Sequence, residues 1–256
     1  MRDLQDILLI DVTLPVHNDL VDLAVFDHDI IHGEDKIGKF QDNLYFNRSL
    51  QDFASKMQIS SGNPGYRVAD SRSTQIEGSE YLNKEFMEGE IFTSDNERFT
   101  GVPMRFNAYH GEVEVMMPDQ TIWSLTNISS IVKIVLNSST LVHRRFITEG
   151  GETSGFLALV YNGKNLIYRR DYKVFMEGKP SNGIVNEIPP KIVDRPKEYY
   201  VDTGNGLPRF FRSSRELAEI IGSHSQEINS FVKKEKINFK KEEDLVKLFS
   251  YIDSLN

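Results

Sequence analysis

Cysteine is absent from the 256 residues. That excludes disulfides, thiolate metal sites and thiol nucleophiles together, while leaving the redox compartment open. An excess of positive charge is missing too, with 30 lysines and arginines against 38 aspartates and glutamates and a formal net charge of -8. The deficit runs through the whole chain: residues 1–75 hold 7 basic and 12 acidic side chains, and residues 76–256 hold 23 and 26. A polyanion needs a positive field, so nucleic acid is not an expected partner. No apolar run reaches the roughly 20 residues of a membrane-spanning helix, so no transmembrane span is expected. The run Ile7-Leu8-Leu9-Ile10 stops at Asp11 and follows two further aspartates. It is too short and too acidic for a signal peptide. Glycine-rich phosphate loops and nucleophile elbows are also lacking, and no cofactor is expected.

What is present is ordinary for a folded protein, with 39% apolar and 27% charged residues. The length suits one large domain or two modest ones. Residues 1–75 form an N-terminal segment and linker. Ile7–Ile10 reads as a buried strand, and Leu20–Phe26 as a second apolar run. Leu50, Phe53, Ala54 and Met57 recur at helical spacing, with Asn47 or Ser49 placed to cap the first turn. The run Ser60-Ser61-Gly62-Asn63-Pro64-Gly65 then breaks the chain, and a linker is expected over about 60–76.

Three functional patterns compete in that segment. Asp11 closes an apolar strand with Pro15 four residues later, a pattern that resembles the phosphoacceptor strand of a receiver domain; a receiver also needs an acidic pair upstream to hold magnesium, and only ten residues precede Asp11 here. Asp27, Asp29 and Asp35 around Phe26 resemble a calcium loop of a C2 domain, since a hard cation needs several oxygen ligands. The simpler reading is an acidic turn. His28 and His32 stand at i and i+4, a spacing that grips zinc when it lies on a helix. Asp29 and Gly33 argue for an incidental pair, and no metal site is assigned.

Residues 76–178 alternate apolar and polar positions with period two, as Glu112-Val113-Glu114-Val115 shows. Strands are expected near 89–94, 98–107, 112–117, 121–125, 131–136, 140–147, 156–161 and 164–175, separated by turns such as Tyr109-His110-Gly111 and Asn137-Ser138-Ser139. Asn162-Gly163 is the strongest hairpin signal, because both residues tolerate the positive φ of a type I′ turn. Gly101 and Pro103 point to a bulge in the second strand.

Residues 179–256 comprise a proline-rich connector and a three-helix tail. Pro180, Pro189, Pro190 and Pro196 suit an extended arm, and Tyr199-Tyr200-Val201 a short edge strand. Ser213 or Ser214 is placed to cap a helix carrying Leu217, Ile220 and Ile221 that Gly222 ends; Ser225 is placed to cap a second. A third begins near Lys241, with Leu245, Leu248, Phe249 and Ile252 in one stripe. The fold class is therefore α+β: an antiparallel β-rich meander or roll followed by a short helical C-terminal tail.

The runs Tyr81-Leu82-Asn83-Lys84-Glu85-Phe86, Gly101-Val102-Pro103-Met104-Arg105-Phe106-Asn107 and Glu112-Val113-Glu114, with the tail from Tyr199-Tyr200 to Tyr251-Ile252-Asp253-Ser254-Leu255, carry a resemblance over about 76–256. They resemble a group of uncharacterised exported proteins of Bacteroidetes-type bacteria. The resemblance implies a compact secreted or envelope-associated domain, in the periplasm or at the cell surface, and brings no catalytic motif with it. Where such proteins have a signal peptide, this chain has residues 1–75, read as a fused domain or a mis-set start.

Chemistry-bearing residues are sparse in the regular part. Arg105 and Tyr109, with His110 beside them, stand at a strand end and mark a candidate ligand edge. Glu112 and Glu114 share a sheet face as an acid–base pair would, but their alternation with valines reads as a solvated face. Trp123, the only tryptophan, is expected in the core rather than stacked on a sugar. Lysines 233, 234, 236, 240 and 241, interleaved with Glu235, Glu242 and Glu243, read as a solvated helix junction. The expected role is a non-enzymatic interaction or structural protein of the cell envelope, binding an unknown protein or envelope ligand. The alternatives are a hydrolase with a dispersed site, and a signalling protein with a receiver-like start.

Overall fold

Period-two alternation between residues 87 and 170 becomes a run of antiparallel strands. The computed structural model describes residues 46–53, 55, 76–125, 130–179, 186 and 188–255. Its strands are β1 (Phe46–Arg48), β2 (Met87–Thr93), β3 (Glu97–Asn107), β4 (Glu112–Met116), β5 (Ile122–Ser124), β6 (Ile131–Leu136) and β7 (Ser139–Thr148). They continue with β8 (Gly151–Asn162), β9 (Leu166–Arg170), β10 (Lys173–Met176), β11 (Lys191–Asp194), β12 (Glu198–Asp202) and β13 (Arg209–Phe211). Three helices follow: α1 (Ser214–Ile221), α2 (Ser225–Glu235) and α3 (Glu242–Ser254). The α+β class, with a rolled antiparallel meander and a helical tail, is what the structure shows.

The strand order is β13-β12-β9-β8-β7-β6-β2-β3-β4-β5, with β1 lying parallel to β3. The meander breaks where β6 pairs with β2 instead of β5, and again where β9 pairs with β12 because β10 and β11 pair apart from the sheet. A further irregularity closes a ring: β13 returns to β7, with Arg209 opposite Ile147 and the Ile147 amide donating to the Pro208 carbonyl at 2.8 Å. Strands β7, β8, β9, β12 and β13 thus form a five-stranded barrel. Each sends side chains into one small core: Val142 and Phe146, Leu157, Tyr168, Tyr200, and the partly buried Phe210. The opposite face of the same strands presents Tyr161, Ile167, Tyr199, Val201 and Phe211, and the three helices cover it with Leu217, Ile228, Leu245 and Phe249 among others. Strands β2 to β8 enclose a further core containing Ile91, Phe99, Met104, Phe106, Val113 and Ile134.

Local chemistry accounts for most joints. Gly101 has φ +65° where β3 carries an extra residue against β2, the bulge expected there. Asn137 and Ser138 take φ 49° and 61° between the paired Leu136 and Ser139, so the two-residue positive-φ turn forms at the β6–β7 hairpin. The Asn162-Gly163 turn is different from the one expected. The last pair is Asn162 with Leu166, which encloses Gly163, Lys164 and Asn165, and the register shifts between Leu159 and Tyr161. The cause is tertiary. The Asp253 carboxylate of α3 accepts the Lys164 amide at 2.8 Å, the Asn165 side-chain amide at 3.2 Å and the Tyr161 hydroxyl at 2.9 Å. Gly163 makes room for that docking, since a Cβ there would sit 1.9 Å from Asp253 Oδ2.

The helix ends follow their signals closely. Ser213 Oγ accepts the Glu216 amide at 3.3 Å, and Gly222 ends α1 at φ 75°. Ser225 is the first residue of α2 rather than its cap; His224, at φ 55°, holds that position. In α3 the acidic first turn of Glu242, Glu243 and Asp244 lies at the positive end of the helix, and Leu245, Leu248, Phe249 and Ile252 are buried.

Two expectations about extent are corrected, and one strand is added. Tyr199-Tyr200-Val201 is an interior strand, paired with β9 on one side and β13 on the other, and all three residues are buried. The expected strand over 164–175 divides at Asp171, because β10 leaves the sheet to pair with β11 of the proline-rich arm. A short piece of the N-terminal segment belongs to the β structure: Ser49 caps a helical turn, and Phe53, 2% exposed, packs edge-on against Phe99 at 5.2 Å. No strand is read there from the sequence, yet β1 pairs with β3.

Candidate functional site

The centre of the candidate site is a side chain that alternation places on the outer face of β3. Arg105 stands opposite Glu114 of β4, and its Nε donates to Glu114 Oε2 at 2.8 Å. The incoming segment 79–86 crosses over this pair. Tyr81 and Phe86 place their rings 3.7 and 4.4 Å from the guanidinium carbon, so the cation lies between two aromatic faces. Its remaining donors reach the Tyr81 hydroxyl at 2.9 Å and the Lys84 carbonyl at 3.1 Å. Asn107 extends the network, donating to Glu80 at 3.1 Å and Glu114 at 3.2 Å, while its carbonyl accepts the Tyr109 and His110 amides. Burial, then the Glu114 carboxylate, pushes the Tyr81 hydroxyl above its ordinary pKa. Arg105 is thus a clasp that fixes the segment 79–86 against the sheet.

That segment forms one side of a cleft of about 290 Å³. The cleft lies beyond the last β2–β6 pair, Gly89 with Leu136. Its floor is apolar: Met104 and Phe106 of β3, Leu136 of β6, Leu141 of β7, and Phe156 and Ala158 of β8. Leu82, Asn83, Glu85 and Met87 line the side held by Arg105, and Asn137 and Ser139 come from the tight β6–β7 turn. The far wall is charged and built from the second half of the chain by Arg169, Asp171 and Lys197.

Those charges are engaged with one another. Arg169 Nε donates to Asp171 at 2.7 Å and its Nη1 pairs with Glu242 of α3, while Lys197 Nζ stands 4.0 Å from the same Glu242. Burial works against the charge of Arg169, but the two carboxylates outweigh it and hold its pKa above the usual value. The wall therefore ties the helical tail to the cleft, and an apolar ligand entering it would meet balanced charge rather than a free ion.

The candidate edge is divided by the structure. Arg105 lies in the cleft wall, whereas Tyr109 is 37% exposed in the β3–β4 turn with its ring 4.8 Å from that of His110. Glu112 and Glu114 are not a solvated pair: Glu114 is buried against Arg105, and Glu112 accepts the Ser124 hydroxyl at 3.0 Å. Trp123 packs, partly buried, on the core of Ile91, Phe99 and Met104, as expected. In the lysine cluster, Lys234 stands 4.0 Å from Glu235, which also takes Lys247 at 2.6 Å. Asp11, Asp27, Asp29, Asp35, His28 and His32 lie outside the described residues. Among the described residues, no group of three His, Asp or Glu side chains converges as a metal site requires. No helix of the described residues is long and apolar enough to cross a membrane.

Sequence reasoning missed Arg169, Asp171 and Lys197. Their one signal is local, the Arg169-Arg170-Asp171 run at the end of an apolar strand. Nothing in it announces a partner on α3. No family model matches the chain, and neither a curated protein nor a solved structure matches it.

Proposed function

We propose that this protein is a non-enzymatic binding module and that the cleft over β3, β7 and β8 holds its ligand. The observation that carries this reading is the cleft itself, an apolar floor under walls whose arginines are already paired. Concave sites with apolar linings and a few fixed polar groups are the usual form of a small-molecule site. Acid–base catalysis asks for a group free to take or give a proton at the substrate. The Arg105–Glu114 pair and the Asp171–Arg169–Glu242 bridge are instead committed to holding walls. Placement in the cell envelope rests on the resemblance of residues 76–256 to exported proteins.

Amide chemical-shift mapping with 1-decanol tests the cleft. Saturable shifts confined to residues around Met104, Leu141 and Ala158, lost in a folded Ala158→Leu variant, are expected. Saturable shifts elsewhere, or none, remove the cleft as the site. Turnover of a chromogenic ester that A158L abolishes would replace the binding module with a hydrolase. Cell fractionation tests location separately, and recovery only from the cytosol removes the envelope placement.

A further inference from the structure

We infer that the ligand of this cleft is an uncharged, mostly apolar molecule with one hydrogen-bonding end, an inference that rests on the cleft being the binding site. An apolar cavity of about 150 Å³ takes a benzene ring, so a cleft about twice as large takes on the order of ten to twelve non-hydrogen atoms. The volume here is about 290 Å³, over a floor where Met104 is fully buried and Ala158 is 3% exposed.

Charge decides the rest. The lining cations are Arg105, Arg169 and Lys197, and the anions on the lining or in direct contact with it are Glu85, Asp171, Glu114 and Glu242. Three positive groups thus face four negative ones. A carboxylate ligand would have to draw Arg169 away from Asp171 and Glu242, or settle for Lys197, half-exposed and 4.0 Å from Glu242, where pairing returns little in water. An ammonium ligand would have to share Asp171 or Glu114 with an arginine that already holds it, or settle for Glu85, an exposed carboxylate of the lining that returns little in water. A charged end buried over the floor therefore loses hydration and finds no unspent buried counter-ion, and desolvation exceeds the Coulombic return. A neutral ligand avoids both losses. Its polar end is met by uncharged groups, the Asn83 and Asn137 amides and the Ser139 hydroxyl, which lie on the cleft sides. The one arginine on the segment side is fixed between Tyr81 and Phe86 and serves the wall, not the ligand.

The test compares 1-decanol, decanoate and decylammonium, which share one apolar chain, by calorimetric titration of the intact chain at neutral pH, with A158L as the control for the site. Decanol is expected to bind at least tenfold more tightly than either ion, with an affinity insensitive to added salt and lost in A158L. Decanoate or decylammonium binding in the cleft as tightly as decanol overturns the neutral ligand and leaves the cleft standing as a charged-ligand site. Failure of all three to bind, or binding that A158L does not weaken, overturns the cleft and the ligand class together.

Discussion

Between β7 and β13 the sheet closes on itself, whereas beyond the β2–β6 ladder it stays open, and the two regions are held by different means. The closed region fills its interior with Phe146, Tyr168 and Tyr200 and covers its outside with three helices. The open region has a comparable core but leaves part of its floor under a cleft, walled by a segment that one arginine holds. The difference teaches where a fold can keep a site. A ring of strands has no interior space to spare once aromatics fill it, while interior strands covered by a loop beyond the end of a ladder can leave a hollow without losing backbone pairing.

The largest expected effect breaks the closed region. Phe249 is fully buried and lies 6.1 Å from the Tyr161 ring and 5.9 Å from that of Phe211, joining α3 to β8 and β13. Phe249→Ala is expected to cost about 3–5 kcal/mol, read as a lower denaturant midpoint of the whole chain. Phe53 is as well buried in the open region, but it enters on a short segment tied by the three-residue β1. Phe53→Ala is expected to undock that segment first, a local opening seen as faster hydrogen exchange at Phe46–Arg48 with a smaller change in global midpoint. Equal global losses for the two variants would remove the distinction between the regions.

Next comes the clasp. Side chains of Arg105 and Glu114 are 16% and 11% exposed, so Arg105→Ala strands a buried carboxylate. A loss of about 3 kcal/mol is expected. The paired Arg105→Met, Glu114→Leu variant should regain most of that stability, because no charge is left unpaired, yet it should still bind cleft ligands less tightly, because the Lys84 carbonyl and the Tyr81 hydroxyl lose their donor. Stability and affinity recovering together would show that the segment 79–86 needs no clasp.

The same contrast separates what the sequence discloses from what it conceals. The strands, the Gly101 bulge and the Ser213 and Gly222 helix ends are set by neighbours in the chain, and alternation, a glycine and two caps reveal them. The Asn162-Gly163 turn is misread because its geometry is set by Asp253, about 90 residues away. Tyr199-Tyr200-Val201 looks like an edge for a related reason: three apolar residues do not say how many neighbours a strand has, and β13 arrives after it. Of the cleft, Arg105 is visible as a cation in an apolar strand. Its role is not, because the aromatic faces and Glu114 that occupy it come from other strands and segments.

A smaller effect follows pH. Burial first, then the hydrogen bond to Asp253, pushes the Tyr161 hydroxyl up to about 12; burial first, then the Glu242 carboxylate, does the same to Tyr199. An unfolded tyrosine titrates near pH 10. The native chain therefore keeps protons that the unfolded chain loses between about pH 10 and 12, and the stability they contribute, complete below pH 10, falls as pH rises through 12. Denaturant midpoints measured across that window should decline, and Tyr161→Phe should make the decline shallower. An unchanged slope would mean that neither burial nor Asp253 raises the Tyr161 hydroxyl.

The smallest expected effect tests the Gly101 bulge, three residues before the cleft-lining Met104 of β3. A Cβ at Gly101 meets nothing within 4 Å, so Gly101→Ala introduces no clash, and only the backbone at φ +65° opposes it. The left-handed conformation costs a non-glycine residue roughly 1–2 kcal/mol, and asparagine, whose side chain bonds locally, pays less than alanine. Gly101→Ala is expected to lower stability by about 1 kcal/mol and Gly101→Asn by less, with ligand affinity retained in both if the bulge persists. The informative result is affinity. If G101A loses decanol binding while its stability changes this little, β3 has straightened and carried Met104 and Phe106 away from the floor, which makes the bulge part of the site. If affinity and stability both hold, the bulge serves the β2–β3 register alone, and the cleft is shaped from the other side, by the segment that Arg105 holds.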